Sequence, residues 1–357
     1  MKKVILNLGL ALIMPLMMMA GDPPAGNMPE WGNWKTFTTK NGLPANKVYA
    51  VRADGDRVWI GTSHGLVLYE NNEFTTFTTE DGLAHNGVLA IDVSELTGDV
   101  WIGTLGGMNR YSGGQFETFT QFNSGLANDV IYSVVCDGQD VWCATGGGAG
   151  HYDTYAEKWA IYTERNAPMH EPWTYSVCAG DNKVWIAAWG GGVIEWQKEN
   201  QTFRDYVDPD GEMEIDLLPD DGVVHDITTA VSYDNGILWV ATYFGMSRYD
   251  GTHWKGYFDH DSGLASNFIN FLRARGDVVY LCTDEGLSSF NSQEWISYKK
   301  NGTSSGKRVY WKDGKSSEKA DASGIAHDFT IGVDFQGDDT IWVATSYGLS
   351  RGTLLNP

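Results

Sequence analysis

A five-residue apolar block with an aromatic at its second position recurs seven times along the chain. The copies are Val58–Thr62, Val100–Thr104, Val141–Thr145, Val184–Ala188, Leu238–Thr242, Val279–Thr283 and Ile341–Thr345. The aromatic (Trp59, Trp101, Trp142, Trp185, Trp239, Tyr280, Trp342) steps by 42, 41, 43, 54, 41 and 62 residues. A block that is apolar or small on both faces predicts a strand sandwiched between two layers. Upstream of each block an apolar anchor marks a preceding strand: Val51, Ile91, Val134, Val177, Val231, Leu272 and Val333. We call this strand A and the block strand B. Strand C opens on a glycine, as in Gly65-Leu66, Gly107-Met108, Gly245-Met246, Gly286-Leu287 and Gly348-Leu349. Strand D is short and aromatic, from Trp34–Phe37 and Phe74–Phe77 through to Trp295–Tyr298. Four strands in a period near 42 residues predict an all-β fold, a seven-bladed β-propeller with four-stranded blades.

Chain order predicts how the ring closes. The first strand met is a D strand, at Trp34, and the last is a C strand, at Gly348–Leu354. The N-terminal strand must therefore complete the C-terminal blade, which hides both edges. The propeller is assigned to residues 31–357, preceded by a signal peptide over 1–20 and a linker over 21–30. Lys2 and Lys3 precede the apolar run Val4–Met19, and Ala20-Gly21 supplies a small-residue cleavage point. Pro23, Pro24 and Pro29 make the linker.

These motifs resemble the two-component regulator propeller repeat family, whose signature is an apolar strand, a Trp-[Ile/Val]-Gly-Thr core, then Gly-Leu and an aromatic. Trp59-Ile60-Gly61-Thr62 with Gly65-Leu66 and Tyr69 matches it, as does Trp342-Val343-Ala344-Thr345 with Gly348-Leu349. The connecting Asn41-Gly42-Leu43, Asp81-Gly82-Leu83 and Ser262-Gly263-Leu264 match too. The resemblance spans Trp31 to Leu354. It implies an extracytoplasmic ligand-sensing or protein-docking module. No kinase or membrane span follows within these residues, so a stand-alone, secreted propeller is expected, periplasmic or extracellular.

Composition narrows the partners. The formal net charge is −21, which disfavours nucleic acid and anionic lipid. A glycan, a peptide or another envelope protein is the expected partner, for a monomeric module without a membrane span. Cys136, Cys143, Cys178 and Cys282 lack zinc-ribbon or redox spacing, and no folding-essential disulfide is expected.

Function is expected on the face built from D-to-A and B-to-C connections, where length varies. The long steps come from an acidic insertion, Val207–Gly222, and a basic, polar one, Lys299–Ser323. Both are expected to be loops. Six residues before each anchor stand Ala45, His85, Asn128, Glu171, His225, Ser266 and His327, followed by Asn46, Asn86, Asp129, Pro172, Asp226, Asn267 and Asp328. A side-chain oxygen capping the turn into strand A explains the second column. The first supplies candidate ligand-binding residues His85, His225 and His327, joined by His170, Glu171, Trp173, Trp189, Tyr243, Phe244 and Tyr347. His85, His225, Asp226, His327 and Asp328 are the candidate ligands for a divalent metal. No nucleophile elbow, zinc-protease motif or strand-to-helix phosphate loop occurs. The first reading is thus a non-enzymatic binding module. A metal-dependent, lyase-like enzyme is the second, by analogy of fold with streptogramin lyase propellers, which use a metal and His on one face. A structural part of an envelope assembly is the third.

Overall fold

The computed structural model describes residues 28–208 and 222–356. The signal segment, most of the linker and most of the acidic insertion lie outside the described residues.

Seven antiparallel sheets are arranged in a ring. Strand A of each sheet faces the axis and touches strand A of both neighbours, including that of blade one against blade seven. Blade one runs from Val48–Asp54 to Glu73–Phe77 and blade two from Val88–Val93 to Gln115–Phe119. Blades three, four and five start at Ile131–Asp137, Thr174–Gly180 and Thr228–Asp234, blade six at Ile269–Arg275 and blade seven at Thr330–Gln336. Blade seven takes its outer strand from the N-terminus: Trp31–Phe37 pairs antiparallel with Gly348–Leu354. Closure is as the chain order predicts.

The repeated block explains the packing. Each strand B aromatic is buried, from Trp342 at 0% exposed to Trp239 at 4%. It packs across the seam to the next blade, as Trp342 does on Ile60, Val67 and Tyr69. The small residue two places after it sets how close the blades come. A Cβ on Gly61 would lie 2.7 Å from the carbonyl oxygen of Val88 in blade two, which is backbone and cannot yield. The Thr that ends the block closes the turn into strand C. Thr62 Oγ1 donates to the Gly65 carbonyl at 2.8 Å, and five other blades repeat the bond.

Blade six departs from the four-stranded expectation, because Lys299–Ser323 is not a loop. It carries two further strands, Ser305–Lys312 and Lys315–Asp321, so this sheet has six. Asp313 and Gly314 turn the chain with φ of 51° and 71°, the positive-φ pair of a tight hairpin. Trp311 and Tyr310 pack on neighbouring core clusters. Arg308 is almost fully buried between Glu30 and Asp321. These contacts fasten the hairpin against the segment that leads into the closing strand.

Candidate functional site

Two columns of side chains organise the D-to-A loops, and the capping expected of the second column is done by the first. The residue six before the anchor caps the turn into strand A. His85, Asn128, His225, Ser266 and His327 each accept from the backbone N–H two residues on, at 2.8–3.1 Å. The three His use Nδ1 as acceptor, which places the ring proton on Nε2. Their equivalence is therefore a turn requirement: a side chain with an acceptor one or two bonds from Cβ satisfies the N–H that would otherwise be lost.

The Asn/Asp column does something else. Asn46, Asn86, Asp129, Asp226, Asn267 and Asp328 accept from a backbone N–H at or just past the end of the preceding outer strand: Thr39, Thr79, Gln121, Asp208, Asp259 and Lys300. Each is a clasp across the base of a loop. Blade four carries Pro172 there. The clasp spans as few as 7 residues and as many as 28, so both long insertions lie inside one.

The five candidate metal ligands do not form a cluster. Asp226 and Asp328 hold clasps, and all three His hold caps. Among the described residues no group of three or more His, Cys, Asp or Glu could hold a metal ion. Desolvation draws His225 below the ordinary imidazole pKa, against the opposing pull of Asp226. Its ring lies 4.4 Å from that of Phe244.

The aromatic candidates do come together. Trp173 stacks on Tyr175 at 5.6 Å, Tyr175 contacts Trp189 at 5.1 Å, and Trp189 meets Tyr243 edge-on at 5.1 Å. Tyr132 extends the row at one end, stacked on Tyr175 at 4.7 Å. Phe268 extends it at the other, 5.4 Å from Tyr243 and 6.5 Å from Phe244. The crescent crosses blades three to six. Trp173, Tyr243 and Phe268 are 43%, 38% and 44% exposed, so part of each ring stays available. His170 and Glu171 are exposed beside it, His170 Nε2 lying 3.6 Å from Asp205. Tyr347 is 56% exposed on blade seven and makes no ring contact among the described residues.

Tyr132, Tyr175 and Phe268 are absent from the sequence-derived candidates. The first two belong to a column two residues before the anchor, Tyr49, Leu89, Tyr132, Tyr175, Thr229, Asn270 and Ile331. Strict alternation would give that column the anchor's face. In all seven blades strand A instead carries a register shift at this position. A bulge re-aims a side chain, and all seven residues line the central channel, a cavity of about 560 Å³.

Deeper in the channel stands a second ring, one residue past the anchor: Arg52, Asp92, Val135, Cys178, Ser232 and Arg273 line the cavity, and Asp334 backs it between the two arginines. Arg52 Nε lies 2.9 Å from Asp92, and Arg52 Nη1 lies 3.6 Å from Asp334. Arg273 Nη1 lies 3.1 Å from Asp334. Burial works against the charge of Arg52, but Asp92 and Asp334 outweigh it and hold its pKa above the ordinary value. All four cysteines are free, and burial pushes each thiol well up, which leaves none poised as a nucleophile.

The fold is shared with extracellular domains of two-component systems. The extracellular domain of the hybrid two-component system BT3049 from B. thetaiotaomicron superposes with a TM-score of 0.69 at 16% identity, over 90% of this chain and 42% of that one. The corresponding domain of BT4673 gives 0.67 at 15% identity, over 90% and 39%. This chain thus spans less than half the length of those domains. A streptogramin B lyase is also similar, with a TM-score of 0.66 at 14% identity over 91% of this chain and 98% of the lyase. No family model matches the sequence, and no curated protein does. Among the described residues no helix is long and apolar enough to cross a membrane.

Proposed function

We propose that this chain is an extracytoplasmic, non-enzymatic, ligand-binding propeller, sensor-like or docking in role. Its ligand sits on the face of D-to-A and B-to-C loops, at the channel mouth. The observation that carries the reading is the unbroken aromatic crescent from Tyr132 to Phe244, partly exposed beside an open channel. Rings packed on one another in fixed positions offer flat apolar area with little side-chain entropy left to lose. That favours the face of a sugar ring or an extended peptide. Export is supported by the basic and apolar N-terminal segment and by the extracellular setting of the BT3049 and BT4673 domains.

The test is retention. The immobilised chain is challenged with a glycan array, a peptide library and an envelope extract, beside a Trp173→Ala/Tyr243→Ala variant of unchanged melting temperature. The wild type should retain a glycan or peptide that the variant releases at least about tenfold more readily, since lost aromatic contacts at a binding centre cost 1–2 kcal/mol or more. Retention of an envelope protein alone, unaffected by the substitutions, would mean a docking surface elsewhere. Equal retention of every ligand by both proteins sinks the proposal.

A further inference from the structure

The deeper ring of the channel holds donors that its carboxylates do not satisfy. The acceptors are well used. Asp334 Oδ2 accepts from Ala53 N at 2.8 Å and Asp92 Oδ2 from Cys136 N at 2.7 Å, besides facing the two guanidiniums. These backbone N–H groups draw off part of the carboxylate charge. The donors are used only in part: each guanidinium faces Asp334 through Nη1 and stays part-exposed. The Nε–H of Arg52 and that of Arg273 are both buried without a hydrogen-bonded acceptor; the approach of Arg52 Nε to Asp92 is close but out of line. A guanidinium presents five N–H groups in a planar fork, and a buried donor left unmatched is costly. Arg52 and Arg273 stand on blades one and six, either side of Asp334, and both line the cavity.

The wall opposite is different. Val135, Cys178 and Ser232 occupy the same ring on blades three to five, below Tyr132 and Tyr175. From the bulged column to this ring is three residues of strand, roughly 10 Å at about 3.3 Å per residue. We infer that the channel takes an elongated ligand with a carboxylate at one end: its ring or apolar body rests on Tyr132 and Tyr175, and its oxyanion enters the fork of Arg273 and Arg52. This rests on the reading of the channel mouth as a ligand site. Bidentate capture of a planar carboxylate is what a guanidinium does best. An ammonium would meet two carboxylates already engaged by guanidiniums and backbone N–H groups, and a hydroxyl would bring no charge to the part-exposed guanidiniums.

Calorimetric titration of the full chain tests it, with 5-phenylpentanoate, the matching alcohol 5-phenylpentan-1-ol, and inorganic phosphate as probes. The acid should bind at least about tenfold more tightly than the alcohol, in line with a charge-assisted bond. Arg273→Gln should bring the acid down to the alcohol, and Tyr175→Leu should weaken both alike. Raising salt from about 0.05 to 0.5 M should weaken the acid alone. Competition by phosphate supports the oxyanion assignment, with the ring supplying the preference for the acid. Should Arg273→Gln fail to fold, Arg273→Lys keeps the charge and loses the fork; the acid should still weaken while the alcohol does not change. No binding of the acid, equal binding of acid and alcohol, or unaltered binding of the acid by the Arg273 variants overturns the inference. If those variants bind the acid normally while Trp173→Ala/Tyr243→Ala abolishes retention at the mouth, the subsite falls and the mouth stands. The opposite pattern does the reverse.

Discussion

The channel has two unlike halves built on one repeat. Blades three to five contribute Tyr132, Tyr175, Val135, Cys178 and Ser232, a wall of rings and small side chains. Blades six, seven, one and two contribute Arg273, Asp334, Arg52 and Asp92, a row of alternating charge. Both halves use the same bulged strand A, the same buried anchor and the same strand B block. The difference teaches where a propeller repeat is free to vary. The block is held by two neighbouring blades at once, whereas the residues two before and one after the anchor border the channel and touch the next blade through single hydrogen bonds or ring contacts. The halves also differ energetically. Each ring pair adds about 0.5–1.5 kcal/mol beyond its buried area, and losing one leaves the rest intact. The charged row is interdependent, since removing one member strands the others in a partly dry site.

The largest effect should come from breaking the seam in the charged half. Deleting Trp31–Thr39 removes the outer strand of blade seven, with Trp31 and its hydrogen bond to Tyr280. The deletion variant should be unfolded or aggregated; a two-state melt at the wild-type temperature would refute closure by this strand. Next comes a matched pair within the deeper ring. Asp334→Ala leaves Arg52 and Arg273 without their shared carboxylate and should cost about 3–5 kcal/mol. Ser232→Ala, at the same position on blade five, loses one hydrogen bond to Ala274 N and should cost about 1 kcal/mol. Denaturant midpoints compare the two, and equal losses would erase the contrast between the halves.

Smaller effects test the caps. Replacing His85, His225 and His327 together with Ala removes three acceptors and should cost about 1 kcal/mol each. Asn at the same three positions should recover most of it, because Asn128 already performs the task in blade three. The smallest effect is a pH dependence. His225 titrates lower in the folded chain than in the unfolded one, so the unfolded chain takes its proton first. Its contribution is complete above the unfolded value of about 6.5 and fades as pH falls towards the folded value. Protonation also turns the Nδ1 acceptor into a donor aimed at Ile227 N–H. The denaturant midpoint of the wild type should therefore fall more steeply below that pH than that of His225→Asn.

The ring was legible because its signals repeat. Seven buried aromatics and seven anchors fall in register along the chain, and the first and last strands dictate the closure. The hairpin of blade six was legible in part: Asp313-Gly314 after Val309-Tyr310-Trp311 is a hairpin signal, obscured by the surrounding Lys and Ser. The bulge was not legible. Tyr175 sits where alternation would place it beside Val177, and only the register shift turns it to the channel. The division of labour between the loop columns was hidden for a different reason. His, Asn, Ser and Asp can all accept from a backbone N–H, so their identities do not say which N–H they meet.

The clasp makes loop length nearly irrelevant to the ring. Closing a loop costs chain entropy that rises only about 0.6 kcal/mol for each doubling of its length once its ends are brought together. Asn46 and Asp328 hold ends 7 and 28 residues apart in sequence with the same bond. The ring therefore registers a short loop and a connection that carries a hairpin as almost the same object. For unstructured chain, two doublings of length would separate them by about 1.2 kcal/mol, and the hairpin shortens the free part of the longer one. Foreign segments inserted between Thr39 and Asn46, or between Thr79 and Asn86, should be tolerated on the same terms, which makes the mouth of this propeller a place where recognition can be exchanged without redesigning the scaffold beneath it.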